Sequence, residues 1–358
     1  MERFAFLFHP LQHTDFARKF PILMRLPSSW VEGGMKYLPP LHISHVTGAR
    51  SLTGVELEGD FVGLGMTPRV LLESDFEHFV LPRLIRAGQL AERLGARILG
   101  LGAFTKIVGD RGVSVAKALN IPVTTGNSYT AASAVEGALK AVDRMQKDRA
   151  NVEAAVIGAT GSIGRAVSHL LAEQVGALTL VARGEERLEA LASALGGHGA
   201  LIRTSTDPRS AARSADLVLT VSSATGVLVE PEDFRPGAVV CDVARPRNVS
   251  AAVYQHRDDV LVLDGGVIRV PGAVDFGFSF GFPPQMAEAC MAETMILAME
   301  GRYESFTLGA DIEVEKVRLI QALAAKHGFT VEGFRRFERA IADQEVEEIR
   351  QRASRAGH

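Results

Sequence analysis

Three glycines spaced by three, Gly158, Gly161 and Gly164, follow the small apolar run Ala154–Ile157. Glycines after a buried strand let backbone N–H groups approach a pyrophosphate, which then sits on the positive end of the following helix. Thr160, Ser162 and Ile163 complete that turn, so Gly158, Thr160, Gly161, Ser162, Ile163 and Gly164 are the candidate cofactor-binding residues. About twenty residues on, where an NAD site places an acid for the ribose 2′-hydroxyl, the chain has Arg183. A guanidinium accommodates a 2′-phosphate and stacks on adenine, and Arg187 lies one helical turn further, so the reading is NADP(H) over NAD(H). Two other side chains could act on a substrate. Cys290 is a candidate nucleophile that would take an acyl group as a thioester. Lys106 is a candidate acid or base.

The elements that must position these groups are legible in part. Helix from Gly161 to about Val175 follows the glycine turn. Strands are expected at about 153–157, 177–182, 200–203, 216–221, 238–242 and 260–263, alternating with helices or short crossovers, which demands a parallel sheet with helices on both faces. Before it, strands are expected at Glu2–Phe8, from His42 and at Gly54–Val62, with helices over Thr14–Met24, Thr67–Leu94 and Gly112–Leu119. Pro68 takes the first position of the second of these. Ile98–Thr105 reads as a buried strand ending in a glycine-bearing loop that contains Phe104 and Thr105. Pro122–Thr125 is extended, and the turn Gly126–Thr130, with Asn127, Ser128 and Tyr129, opens a helix from Ala131 to about Lys147. His42 and His45, three apart, fall on opposite faces of a strand and suggest no metal.

Beyond Leu263 come Gly265 and Gly266, then Phe276, Phe278, Phe280 and Phe282 at alternate positions. If extended, their rings share one side and either line an apolar channel or cover the core. Pro283–Pro284 is expected to start a helix to about Glu300, in which Met291, Met295 and Met299 form a stripe that is either core or an adaptable wall. On residue pattern alone, Cys290 among these methionines reads as a buried small hydrophobe. Helices over Val314–His327 and Val331–Ala353 close the chain.

The 358 residues, 47% apolar and 23% charged, fit two or three globular domains. A net charge of −3 gives no basic footprint for nucleic acid. No apolar run reaches the length of a membrane span, and the N-terminus does not read as a signal peptide, so a cytoplasmic protein is expected. Two distant cysteines, Cys241 and Cys290, give neither a disulfide framework nor zinc spacing.

None of the four tyrosines has a lysine four residues on, which excludes the Tyr-x-x-x-Lys pair of short-chain dehydrogenases. The segment Thr125–Thr130 resembles the shikimate dehydrogenase family, but Tyr129 stands where that family has its catalytic aspartate, leaving Lys106 without its partner. Five segments in order, Leu99–Thr105, Val123–Thr130, Val156–Gly164, Thr179–Arg183 and Gln285–Glu293, with Leu263–Val267 and Lys326–Phe329, resemble the cyanobacterial long-chain acyl-[acyl-carrier-protein] reductase family over roughly residues 40 to 330. The family has a small polar residue at the position of Lys106 and histidine at that of Tyr129. The resemblance implies that Cys290 is an acylated cysteine, reversing the reading from pattern alone.

The expectation is therefore a Rossmann protein, α/β with a doubly wound parallel sheet, in three parts: a smaller N-terminal α/β substrate-binding domain at 1–130, an NADP-binding domain at 131–282, and a helical segment at 283–358 over the cleft. The expected activity is NADPH-dependent reduction of a fatty acyl thioester, carried by acyl-carrier protein or coenzyme A, to an aldehyde through Cys290. Phe104, Thr105, Asn127, Ser128, Tyr129, Gly265 and Gly266 would lie near the substrate or the nicotinamide. The alternatives are an NADP-dependent dehydrogenase of a small hydroxy or keto acid using Lys106, and a non-catalytic NADP-binding protein.

Overall fold

The computed structural model describes residues 1–11, 15, 26–224, 226–244, 247–265, 267–336 and 339–356, with Ser29 described by its backbone alone. In chain order these residues form β1 (Glu2–Phe8), α1 (Ser28–Met35), β2 (Leu41–Arg50), β3 (Glu56–Gly63), α2 (Pro68–Glu73), α3 (Leu81–Arg93), β4 (Leu99–Leu101), α4 (Val113–Ala118), β5 (Val123–Thr124), α5 (Asn127–Arg144), β6 (Glu153–Ile157), α6 (Ser162–Ala172), β7 (Ala177–Val181), α7 (Glu185–Leu195), β8 (Leu201–Ser205), α8 (Pro208–Ser214) and β9 (Leu217–Thr220). They continue with β10 (Val239–Asp242), α9 (Ala251–His256), β11 (Leu261–Asp264), β12 (Val267–Arg269), β13 (Gly272–Asp275), β14 (Met286–Glu288), α10 (Ala289–Met299), α11 (Val314–His327), β15 (Thr330–Val331), β16 (Phe334–Arg336), β17 (Arg339–Ile341) and α12 (Asp343–Ala356).

The chain divides into two compact units. The first comprises Met1–Tyr129, Arg269–Asp311 and Leu319–Thr330; the second comprises Thr130–Ile268, Ile312–Arg318 and Val331–His358.

The first unit holds a mixed sheet in the order β13-β2-β3-β1-β4-β5. β1 runs parallel to β3 and β4, and β4 parallel to β5, while β2 and β13 run antiparallel to their neighbours. Alternation along β1 sorts its side chains to two faces. Ala5 and Leu7 join Leu84, Ala87 and Ala91 of α3 in one apolar core. Phe4, Phe6 and Phe8 face the other way. Helix α10 packs against β1, β4 and β3, and all of its residues are buried, apolar but for Glu293 and Thr294. Gly100 makes that approach possible, because a Cβ there would overlap the Thr294 hydroxyl and the Phe6 ring. The three methionines of the expected stripe are core: Met291, Met295 and Met299 are all buried.

The second unit is the expected Rossmann sheet. Six parallel strands take the order β11-β10-β9-β6-β7-β8, with the reversal of winding between β6 and β9. Its core on one face includes Ala155, Ile157, Val181, Val218, Val240 and Val262. The observed strands match the expected six to within about two residues at each end, because strands buried on both faces are near-continuous apolar runs.

Several expectations are corrected. The helix expected over 67–94 is broken at Ser74–Asp75, where Asp75 caps the next turn through the His78 N–H. The phenylalanines after β13 are not an extended ladder. Gly277 and Gly281 take φ of +63° and +91°, and the segment folds back onto phenylalanines of the central strands β1 and β3. There Phe276 stacks on Phe61 at 5.9 Å, and Phe280 meets Phe8, Phe61 and Phe276 edge-on. Pro283–Pro284 does not start a helix. The second proline pushes the residue before it out of the α region, and a turn with Gln285 at φ +64° leads into β14 instead. Helix α10 therefore begins at Ala289, on the sheet of the first unit. Gly333 at φ +67° precedes a β16–β17 hairpin where a continuous helix was expected, so α12 starts only at Asp343. His42 and His45 are not on opposite faces: a bulge between His42 and Ser44 turns both rings onto the Oδ1 of Asp60, each at 2.9 Å. The helix expected over Thr14–Met24 lies outside the described residues, apart from Asp15.

Among the described residues no helix is long and apolar enough to cross a membrane, and no cluster of His, Cys, Asp and Glu is arranged to hold a metal ion.

Candidate active site

Cys290 is the second residue of α10, since Glu288 is the N-cap. The thiol therefore sits in the first turn, at the positive end of the helix dipole. A helix starting at the prolines would have put that end nearly two turns away. The thiol is buried, and burial pushes it up to about 12. The Lys106 ammonium pulls it down, the Glu288 carboxylate raises it, and the Met291 N–H lowers it. Glu288 makes no capping hydrogen bond to the helix. Its Oε2 instead accepts from the thiol, at 3.5 Å.

The floor beneath the thiol is Gly126, at φ +72°. A Cβ there would overlap the Cα and Cβ of Cys290 and stand 2.6 Å from its carbonyl oxygen. Only glycine allows the segment after β5 to lie against the start of α10. Asn127 follows as the first residue of α5. The residues expected to form a turn, Asn127–Thr130, are the opening turn of this helix. Asn127 is 3% exposed, and its Oδ1 has no hydrogen-bond partner. A buried amide oxygen without a partner among the described residues is costly.

Glu293, one turn after Cys290, faces elsewhere. Oε2 accepts the Tyr129 N–H at 2.8 Å, and Oε1 accepts the hydroxyls of Thr124 and Thr307 at 2.6 and 2.9 Å. Burial raises its pKa, while Thr124, the Tyr129 N–H, Thr307 and Lys106 lower it. It caps α5 and so ties α10 to the segment that carries Asn127. Ser128 joins the same network through its hydroxyl contact with Thr307 at 2.8 Å, and the ring of Tyr129 is buried.

Lys106 closes a short 3₁₀ turn, 103–106, at the carboxyl end of β4. Thr105 donates to the Gly102 carbonyl at 2.6 Å, and the Phe104 N–H donates to His9 Nε2 at 2.9 Å. That donor makes Nε2 the acceptor, so Nδ1 carries the proton and donates to the Pro10 carbonyl at 3.0 Å. Burial holds His9 neutral and lowers its pKa to about 4. Lys106 makes no hydrogen bond or ion pair with another described residue. The first unit thus gathers Cys290, Phe104, Thr105, Lys106, Asn127, Ser128 and Tyr129 at the carboxyl ends of β4 and β5, the end at which ligands bind in α/β sheets.

The second unit gathers the nucleotide residues. Gly158 has φ +96°, and a Cβ on it would stand 2.7 Å from the Ser222 amide nitrogen. A Cβ on Gly164 would overlap the Gly158 carbonyl and approach the Ala159 Cα to 2.9 Å, so the third glycine lets α6 close against the strand. Gly161, the N-cap, is exposed and has only the Gly158 carbonyl oxygen near its missing side chain. Thr160, Ser162 and Ile163 flank it, and the first-turn amides of α6 lack intrahelical acceptors. These are the three roles glycines take in a dinucleotide turn, and the residues fit an NAD(P) pyrophosphate. Arg183 stands exposed just past the carboxyl end of β7, the strand beside β6. No described residue hydrogen-bonds or ion-pairs with it. Gly265 follows β11, three strands from β6, packed against Val243. Gly266 lies outside the described residues.

Comparison with known proteins agrees with this division. The family model for shikimate / quinate 5-dehydrogenase matches residues 138–264, which contain all six strands of the Rossmann sheet. The chain carries an oxidoreductase-type Rossmann unit. Aminotransferase PigE of Serratia sp. (strain ATCC 39006) is 35% identical over 241 residues, 66% of this chain and 28% of that protein, so the chain spans under a third of that relative's length. The long-chain acyl-[acyl-carrier-protein] reductase of Synechococcus elongatus is 29% identical over 306 residues, 81% of this chain and 87% of that protein. Glutamyl-tRNA reductase of Thermus thermophilus is 33% identical over 132 residues, 36% of this chain and 33% of that protein.

Sequence reasoning missed Glu288 as part of the site, and it placed Gly126 in the turn expected beside the nicotinamide but not against Cys290. Glu288 lies within the segment that carries the family resemblance, and its pairing with the thiol becomes visible only once α10 is seen to begin one residue later.

Proposed function

We propose that the protein reduces a fatty acyl thioester to an aldehyde with NADPH, through an acyl thioester on Cys290. The observation that carries this reading is the placement of Cys290. A thiol in the first turn of a buried helix, beside a carboxylate and with the Gly126 backbone against it, suits attack on an acyl group better than a place in the core. The similarity to a long-chain acyl-[acyl-carrier-protein] reductase across most of both chains supports it. The donor is acyl-carrier protein or coenzyme A.

In this reading Cys290 attacks the thioester carbonyl, and the carrier thiol leaves. The Asn127 amide, seated beside Gly126, holds a polar group of the incoming acyl donor. Glu293 and Gly126 keep the start of α10 against the segment after β5. Gly158, Thr160, Gly161, Ser162, Ile163, Gly164 and Arg183 would hold NADPH, with Gly265 and Gly266 on the nicotinamide side. NADPH, when bound, supplies the hydride that converts the acyl group to the aldehyde.

The test is intact-protein mass spectrometry after incubation with palmitoyl-coenzyme A in the absence of NADPH. Wild type should gain one palmitoyl adduct that is discharged as aldehyde on addition of NADPH, and Cys290→Ala should gain none and form no aldehyde. Full aldehyde formation by Cys290→Ala would overturn the reading. Turnover of a hydroxy or keto acid that survives loss of Cys290 but not of Lys106 would replace it with the Lys106 dehydrogenase.

A further inference from the structure

Acyl transfer to a buried thiol needs somewhere for the proton to go, and resting on the thioester reading, the geometry points to Glu288 as the acid–base residue of Cys290. Glu288 Oε2 is 3.5 Å from Sγ. At the N-cap this side chain would ordinarily turn toward the helix amides; here it makes no such bond and is directed at the sulfur. The other charged groups are accounted for. Glu293, on the same helix, is hydrogen-bonded to Thr124, Tyr129 and Thr307. Lys106, from the turn after β4, acts electrostatically on both Cys290 and Glu293. The Gly126–Asn127 segment brings amides and no ionisable side chain.

The step balances with these groups alone. As the thioester carbonyl is seated, the Cys290 S–H proton passes to the Glu288 carboxylate while sulfur forms a bond to the carbonyl carbon. Negative charge moves to the carbonyl oxygen. The carbonyl re-forms, the bond from carbon to the carrier sulfur breaks, and the Glu288 carboxylic acid returns its proton to that leaving sulfur. Before substrate arrives the thiol stays protonated because its site is dry, which keeps it inert to adventitious oxidants and alkylating agents. Lys106 also accounts for a departure from the resembled family, which has a small polar residue at that position: in this chain the site carries its own cation.

The test is single-turnover acylation by palmitoyl-coenzyme A, followed by intact mass on the full chain without NADPH, from about pH 3.5 to about pH 9, a span that includes the ordinary carboxylate range, on wild type, Glu288→Gln, Glu288→Asp and Lys106→Met. A general base contributes about 10²- to 10⁴-fold. Glu288→Gln, which keeps the shape but cannot take a proton, should acylate slower by that factor and lose the acidic limb of the wild-type profile. Glu288→Asp should recover part of the rate and keep a limb, displaced in pH. Lys106→Met should acylate more slowly while retaining the limb. Wild-type acylation should be slower in D₂O. Glu288→Gln acylating at the wild-type rate with the same acidic limb would overturn the assignment and leave the thioester reading standing. If the Gln variant does not fold, the wild type decides: a rate independent of pH across the acidic range, with no solvent isotope effect, overturns it. Absence of any adduct on wild type, with palmitoyl-coenzyme A and palmitoyl-acyl-carrier protein alike, removes the thioester reading and this assignment together.

Discussion

At the scale of single residues, burial pushes the site's ionisable groups toward their neutral forms. It raises the Cys290 thiol and the Glu293 carboxyl, and the Glu293 oxygens are met by specific donors. His9 is lowered for the same reason and stays neutral, so that it can accept the Phe104 N–H and fix the turn that carries Lys106. Its folded pKa, about 4 against an ordinary 6.5, sets a sign. Between those values the unfolded chain binds a proton that the native chain does not. The stability His9 contributes is complete above about pH 6.5 and is lost as pH falls toward 4, in total roughly 3 kcal/mol. Urea unfolding at about pH 7.5 and about pH 5 should show wild type losing roughly 2 kcal/mol more than His9→Gln over that interval. The glutamine still offers the Phe104 N–H an acceptor and does not titrate. Equal losses in the two proteins would show that His9 is not the titrating group. At this scale the sequence exposed Cys290 only through a run of residues shared with a family. Its partner Glu288 was hidden, because a carboxylate two residues before a cysteine has no meaning until the helix start between them is known.

At the scale of elements, legibility followed burial. The Rossmann strands are runs such as Ala154–Ile157 and Leu217–Thr220, apolar on both faces, and local pattern locates them. The start of α10 was misread because Pro283–Pro284 imitates the proline that often opens a helix, whereas three extended residues intervene. The same misreading put the helix dipole out of reach of Cys290. The join between β5, α5 and α10 is where a small change should do most harm. Gly126→Ala costs roughly 1–2 kcal/mol from its left-handed φ, and a further 1–3 kcal/mol from overpacking against the Cys290 backbone. Gly54→Ala is the control: its φ is +88°, but nothing lies within 4 Å of the added methyl. Chemical denaturation should place Gly126→Ala below Gly54→Ala in stability by that second contribution, and palmitoylation of Cys290 should slow in Gly126→Ala alone. Matching stabilities and matching acylation rates would mean that the Gly126 contact does not seat the thiol.

At the scale of the molecule, each unit has its own sheet, and the chain supplies the first from three separate stretches. No local pattern announces that Arg269–Asp311 returns to the sheet begun by Glu2–Phe8; that is set by long-range burial of a largely apolar helix against β1 and Gly100, which a reading along the sequence does not see. The division has a thermodynamic consequence. The nucleotide residues belong to the second unit and the thiol to the first, so nucleotide binding should be blind to loss of the thiol. At a hundred times its Kd, a ligand that binds only the native state adds about 2.7 kcal/mol. Thermal unfolding with NADPH should therefore rise by the same several degrees in wild type and Cys290→Ala. Arg183→Ala should lose most of that rise, since a charge-assisted bond to a 2′-phosphate is worth about 1.5–3 kcal/mol, roughly a ten- to hundredfold weaker NADPH Kd. NADH, which has no 2′-phosphate, should shift Arg183→Ala and wild type alike. If both nucleotides lose affinity equally, Arg183 serves the adenine or the fold and does not choose the cofactor. If Cys290→Ala alone abolishes the NADPH shift, the thiol is coupled to the nucleotide turn and the two units do not bind independently.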